Sequence, residues 1–250
     1  MALQTEYEFT LPVGFVEADG TLHRKGVMRL ATAADEIQPQ RDPRVQTNPA
    51  YLEVVLLSRV VKLEGLLSTR NGDFGVEPGV IEKLFVQDLA YLQELYRRIN
   101  TGEALSVKTT CPGCKDTVEV SLSPGEAFTS GAPETQFKFT LPCGFVEDSK
   151  VHKEGVMRLA TVGDEILPQK DSRVQNNPAY LPVIVLSRVV TKLGFLEDVN
   201  PRIIERLFAQ DLHFLEALYQ HRTGGESLTL KTRCVNCQAT VEVNISPGES

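Results

Sequence analysis

GVMRLAT, residues 26–32, returns letter for letter at residues 155–161 and sits inside a much longer recurrence. Between Gly26–Leu52 and Gly155–Leu181, 21 of 27 positions agree. The match resumes with 11 of 19 positions over Pro78–Tyr96 against Pro201–Tyr219, and 13 of 22 over Leu105–Glu126 against Leu228–Glu249. Upstream, FTLPVGFVE from Phe9 reappears as FTLPCGFVE from Phe139. Collinear blocks of this quality do not arise by chance, so the chain reads as a tandem duplication. The first repeat unit covers residues 1–126 and the second 138–250. Residues 127–137 form a linker within a stretch rich in Pro, Gly, Ser and Thr. The offset between copies falls from 129 at Gly26 to 123 at Pro78, which makes copy one six residues longer in between. The surplus lies in the segment 64–79, whose turn residues predict an exposed loop and a place for a contact made by one copy only.

One unit can be read outward from these blocks. Tyr7, Phe9 and Leu11 alternate with polar residues, which is strand periodicity. Asp19-Gly20 supplies a turn, and Val27, Met28 and Leu30 continue as the return strand. Thr32 with Asp35-Glu36 predicts a short helical turn through a capping arrangement. Asn48-Pro49 predicts a helix start, with the helix running to about Leu63 and apolar on all sides over Val54–Leu57. From Pro78, Ile81, Leu84, Phe85, Leu89, Leu92, Tyr96 and Ile99 recur at three- and four-residue steps, which predicts a second, amphipathic helix. Leu105–Thr109 and Thr117–Leu122 then form a closing hairpin with Cys111-Pro112-Gly113-Cys114 at its tip. The order hairpin, two helices, hairpin places the fold in the α+β class.

Composition narrows the function. The 250-residue chain carries a net charge of -7, and the halves divided after Glu126 hold 13 basic against 18 acidic and 13 against 15 residues. Neither half offers the basic face that a phosphate backbone requires, so no nucleic-acid partner is expected. No apolar run reaches the length of a membrane span, and the start MALQTEYEFTLP lacks the pattern of a signal peptide. The expectation is a cytoplasmic protein, or one built into an assembled particle, with reduced thiols and no membrane partner.

The cysteines carry the strongest chemical signal. A Cys-x-x-Cys pair at a hairpin tip is half of a zinc ribbon, because two intervening residues let both sulfurs reach one ion. The two copies supply Cys111 and Cys114, then Cys234 and Cys237. Together they make one four-thiolate set, which predicts one zinc per chain shared by the two repeats. A dithiol redox pair is the rival reading, but such pairs draw reactivity from a helix N-terminus, and these stand between strands. Metal-free thiols are the third. Cys143 is alone, replaces Val13 of copy one and reads as a small buried hydrophobe.

No other constellation resembles an active site. His23 and His152 occupy equivalent places at the first hairpin, where a polar strand residue is the favoured reading and a fifth metal ligand or a base the rival, while His213 and His221 have no counterparts and read as surface residues. Arg29, Arg44 and Arg59, with Arg158, Arg173 and Arg188, are candidate ion-pair partners for Asp35, Asp88, Asp164 and Asp211. Arg59 interrupts an apolar helix and should end in a buried or interfacial pair. No Ser or Thr joins a His and an acid in a nucleophile motif, and no phosphate-binding glycine loop is present. These readings predict a protein that is not an enzyme.

Val27-Met28-Arg29-Leu30-Ala31-Thr32, Asp35-Glu36, Asn48-Pro49-Ala50-Tyr51-Leu52 and Leu56-x-Ser58-Arg59-Val60 form one pattern. Phe85, Gln87-Asp88-Leu89, Leu92, Leu95-Tyr96 and the Cys-x-x-Cys hairpin complete it. The whole resembles the small tail-assembly and baseplate proteins of T-even-type phages and of phage-tail-like contractile injection systems. The resemblance covers nearly all of each copy. It implies a non-enzymatic role as a component or chaperone of a baseplate or tail, with other tail proteins as partners. A zinc-ribbon adaptor for nucleic acid or the transcription machinery, and a dithiol oxidoreductase, are the alternatives.

Overall fold

The computed structural model describes residues 4–66, 74–101, 105–115, 117–122, 134–147, 150–223, 228–234 and 236–245. The chain forms two compact units, one made of Met1–Gly131 with Gly225–Ser250 and the other of Ala132–Gly224. Most of the segment expected to be a linker, and residues 67–73 of the loop expected over 64–79, lie outside the described residues.

The first unit opens with strands β1 (Glu6–Val16) and β2 (Leu22–Arg29), followed by helices α1 (Ala33–Ile37), α2 (Pro43–Thr47) and α3 (Tyr51–Val60). Strand β3 (Val61–Leu63) and helices α4 (Pro78–Lys83) and α5 (Val86–Thr101) come next, then hairpin strands β4 (Leu105–Thr110) and β5 (Thr117–Leu122). In the second unit the same order runs β6 (Gln136–Glu147), β7 (Lys150–Arg158), α6 (Val162–Ile166), α7 (Ser172–Asn176), α8 (Leu181–Val189), β8 (Val190–Leu193), α9 (Pro201–Glu205) and α10 (Ala209–Thr223). The closing hairpin, β9 (Leu228–Arg233) and β10 (Thr240–Ile245), belongs to the first unit. The architecture is mixed α+β with two three-stranded antiparallel sheets, β1-β2-β3 and β6-β7-β8, and two separate hairpins.

Each three-stranded sheet turns one apolar face inward. Phe9, Leu11 and Val13 of β1 are buried with Met28 of β2, while Thr10 and Pro12 between them remain partly open, as strand alternation requires. Val54, Leu57 and Val60 of α3 join them in the core, with Ile81, Leu84 and Leu92. In the second unit Phe139, Leu141, Met157, Leu186, Val189 and Leu215 occupy the corresponding interior.

Both expected helices differ in the structure, and a short helix that was not expected, α2, ends at Asn48 so that α3 begins at Tyr51. The helix expected to reach Leu63 stops at Val60, and Val61–Leu63 turns extended and pairs with β2 through Gly26 and Leu63. Val61 and Leu63 point inward and Lys62 outward, so the end of one apolar run serves as a strand. The helix expected to run unbroken from Pro78 is interrupted at Leu84, whose ψ of 153° is extended. That break starts α5 afresh and places Asp88 in its first turn.

Asp88 explains the break. Pairing between β1 and β2 lapses between Thr10 and Phe15. There the Val13 and Gly14 amides donate to the Asp88 carboxylate at 2.8 and 2.9 Å. A buried carboxylate therefore satisfies two backbone donors that the sheet leaves open. Gly14 sits at φ +107°, where a Cβ would stand 2.6 Å from Arg24 Cγ, so only glycine fits. In the second unit Cys143 and Gly144 donate to Asp211 at 2.8 and 3.0 Å in the same way.

Candidate metal centre

The site is built on the hairpins β4–β5 and β9–β10. Their ladders end at Thr110 opposite Thr117 and at Arg233 opposite Thr240, which leaves a six-residue tip on each. Each tip closes identically: the Lys115 amide donates to the Cys111 carbonyl and the Gln238 amide to the Cys234 carbonyl, both at 2.9 Å. The residue after the second cysteine takes the left-handed conformation, with φ 59° at Lys115 and 61° at Gln238. Neither is glycine, and this conformation costs a non-glycine residue about 1 kcal/mol or more. The tips hold this strain while turning both sulfurs of each pair to one side.

The four sulfurs converge. All Sγ atoms of Cys111, Cys114, Cys234 and Cys237 lie within 4.8 Å of one another. Cys111 Sγ is 3.5 Å from Cys237 Sγ, and Cys114 Sγ is 3.7 Å from Cys234 Sγ. Metal–sulfur bonds of about 2.3 Å in a tetrahedron require sulfur–sulfur separations of about 3.8 Å. These two separations already match that requirement and the others exceed it by no more than about 1 Å, so the cluster is compatible with a metal site. Cys111 and Cys234 are buried, Cys114 is half-buried and Cys237 is exposed. One face of the cluster is thereby closed and the other open to an arriving ion.

Close approach of the tips depends on Gly113. A Cβ there would stand 2.9 Å from Ala239 Cβ and 3.1 Å from Cys237 Sγ. The backbone prepares Cys111 for negative charge, whereas at Cys237 the Ala239 amide is outweighed by the neighbouring Cys111 and Cys234 sulfurs and by burial, which push that thiol up. The Cys114 amide, aided by that of Gly113, draws the Cys111 thiol down to about 6 against the opposing effect of burial. The Gly113 nitrogen lies 3.4 Å from Cys111 Sγ. Thiolates are the form that binds metal, so this environment favours ligation.

The chain matches no protein-family model, no curated protein and no solved structure. Its function must therefore be read from the cluster and from the sequence itself.

The remaining candidates are engaged elsewhere. Arg29 grips Asp35 with both Nη atoms, at 2.8 and 3.0 Å, and Arg59 Nε reaches the same carboxylate at 3.0 Å. Thr32 adds its amide and hydroxyl to Asp35 at 2.9 and 2.7 Å, the capping arrangement expected at α1. Arg158, Arg188, Thr161 and Asp164 repeat this network. Arg44 pairs with Asp42, and Arg173 with Asp171, rather than with the acids expected from sequence. A cleft of about 480 Å³ is faced by Arg29, Arg44, Arg59 and Phe74, but these guanidinium groups are already paired within the fold.

His23 Nδ1 meets the Glu64 carbonyl at 2.9 Å, and its Nε2 lies 3.2 Å from Glu17. The His152 ring packs edge-on against Phe195. Neither histidine belongs to the sulfur cluster. His213 and His221 are exposed. The Cys143 thiol, half-buried rather than fully enclosed, donates to Gln210 Oε1 at 3.3 Å. Gly113 and the left-handed residues Lys115 and Gln238 escaped the sequence reading. The Gly in CPGC was a usable signal, whereas nothing in the letters marks Lys115 or Gln238.

Proposed function

We propose that the protein is a zinc-stapled structural or assembly component of the baseplate or tail of a contractile, phage-tail-like particle. The observation that carries the metal part is the convergence of four thiol sulfurs from two hairpins within 4.8 Å. Four sulfurs in tetrahedral array are the donor set of structural zinc, and a closed four-ligand site leaves no position for substrate. Cys111, Cys114, Cys234 and Cys237 would hold one zinc per chain. The ion's role is to tie the hairpin of copy one to that of copy two.

The tail role rests on the sequence pattern described above. Support comes from where that pattern lies in the fold. Arg29, Asp35 and Arg59 are used in an internal ion network, and Asp88 is used against the backbone of β1. Residues committed to holding the fold are what a building block or chaperone needs. The chain is read as a tandem duplication, because the long sequence identities coincide with a repeated element order and a repeated Asp–Arg–Arg network. A cytoplasmic setting, with partners among the other tail proteins, belongs to the same reading. No helix among the described residues is long and apolar enough to cross a membrane.

The test is deletion of the gene in a host that makes such particles. Sheath and tube proteins should still accumulate while electron microscopy shows no complete particles. Normal particles in the deletion strain overturn the tail role.

A further inference from the structure

Taken as a zinc site, the cluster still leaves open what happens when an oxidant reaches it. The sulfurs are unequal: Cys237 is exposed and Cys114 half-buried, while Cys111 and Cys234 are buried. Two direct sulfur–sulfur contacts cross from one hairpin to the other. They join Cys237 to Cys111 at 3.5 Å and Cys114 to Cys234 at 3.7 Å. Each contact couples a sulfur that solvent reaches to one that it does not.

We propose that the centre is an oxidation-responsive clasp: a hydroperoxide expels the metal and converts the two cross-hairpin contacts into disulfides, Cys111–Cys237 and Cys114–Cys234. The proposal rests on the zinc reading for the ion that is lost, and on the sulfur geometry alone for the pairing. The chemistry has two steps per disulfide. The exposed Cys237 thiolate attacks a peroxide oxygen, an S–O bond forms, the O–O bond breaks, and the departing hydroxide takes up a proton to become water. The touching Cys111 thiolate then attacks the Cys237 sulfur, an S–S bond forms, the S–O bond breaks, and a second hydroxide is protonated to water. Cys114 and Cys234 repeat the sequence. In total, four thiolates lose four electrons to two hydrogen peroxide molecules. Four protons are consumed, four waters form, and one divalent cation leaves.

The outcome differs from that of an ordinary zinc knuckle whose pairs oxidise within themselves. Disulfides inside each Cys-x-x-Cys would free the hairpins from one another. Cross-hairpin disulfides replace the metal by a covalent tie between the same two tips. The approach of Gly113 to Ala239 and to Cys237 Sγ already holds those tips together. Cys143 lies in the other unit, against Gln210, and is replaced by Ser so that it takes no part in the reaction.

Trypsin separates the alternatives, because it cuts after Lys108, Lys115 and Arg233. Cys111 and Cys114 fall on one peptide, Thr109–Lys115, and Cys234 and Cys237 on another, Cys234–Ser250. The full-length chain, in a Cys143→Ser background, is treated with two equivalents of hydrogen peroxide and digested without reduction. The expected product is the two peptides covalently linked, with metal released in step. Two separate peptides, each carrying an internal disulfide, overturn the proposal.

Two double variants sharpen the test. Cys114→Ser with Cys234→Ser keeps the Cys111–Cys237 contact and should still cross-link. Cys114→Ser with Cys237→Ser leaves only the two buried sulfurs and should cross-link about tenfold more slowly or less. Equal rates overturn the proposal. Native mass spectrometry of the untreated chain reads the metal independently. A metal-free chain that still cross-links refutes the zinc reading and upholds the pairing. A metal-bound chain that forms only internal disulfides does the reverse.

Discussion

Replacing Asp35 by Asn tests the ion network that fixes α1 and α3 against β2. The carboxylate is buried and receives five donors: two from Arg29, one from Arg59, and the amide and hydroxyl of Thr32. Asn offers one acceptor oxygen. If that oxygen serves Thr32 and Arg29 Nη1, the amide nitrogen meets Arg29 Nη2 and Arg59 Nε, which are also donors. Two charge-assisted bonds are lost, and each contributes about 1.5–3 kcal/mol in buried settings. The side chains of Arg29 and Arg59 are 24% and 35% exposed, so water recovers part of this loss. The net expectation is a loss of about 3 kcal/mol, a large share of a typical stability of about 5–15 kcal/mol.

Urea denaturation followed by circular dichroism reads this loss, and Asp164→Asn is the matched variant because Arg158, Arg188 and Thr161 surround it in the same way. The pH dependence gives an independent sign. Burial pulls the Asp35 carboxyl up, but Arg29, Thr32 and Arg59 outweigh it and hold it well below the usual carboxylate range. A carboxyl lowered on folding contributes stability above its unfolded pKa of about 4, and that contribution fades as the pH falls toward the folded value. Wild type and variant should therefore differ most near neutrality and converge in acid. A loss below about 1 kcal/mol at pH 7, or a difference that grows in acid, refutes the reasoning.

Three further outcomes follow from the metal centre. Cys111→Ser and Cys234→Ser should weaken zinc by similar factors, each about 100-fold or more, because both sulfurs serve one ion; competition with a chromophoric chelator measures this. Gly113→Val should lower zinc affinity by about 10–100-fold through the clash with Ala239 and Cys237 Sγ, with little change in the far-ultraviolet spectrum. Acidification should release the ion steeply, since four thiolates accept protons in exchange for one metal, and titration with a zinc-sensitive dye follows the release.

The features legible in the sequence are those that depend on residue type at fixed short spacing. The α+β class, both Cys-x-x-Cys hairpins, the α1 cap at Thr32 and Asp35, and the Asp19-Gly20 turn are of this kind. Gly20 has φ +89°, and the Thr21 amide donates to Asp19 at 2.9 Å. The features that escaped depend on partners distant in sequence. Asp88 sits on an apparently continuous amphipathic stripe, and its partners are backbone amides 74 and 75 residues away, which have no side-chain signature. The break at Leu84 is invisible because Leu84 and Phe85 keep the helical spacing across it. Strand β3 was hidden within an apolar run whose periodicity does not separate helix from strand. Arg44 looked available to any acid in the chain, but Asp42, two residues earlier, forms the bidentate pair.

The most direct test of the account is native mass spectrometry of the purified full-length chain under reducing, metal-replete conditions, with zinc identified by elemental analysis. One zinc is expected on a single chain, removed by mutating either cysteine pair. A metal-free monomer contradicts it, as does zinc found only in dimers at one ion per two chains, which would place the two thiol pairs of the site in different molecules.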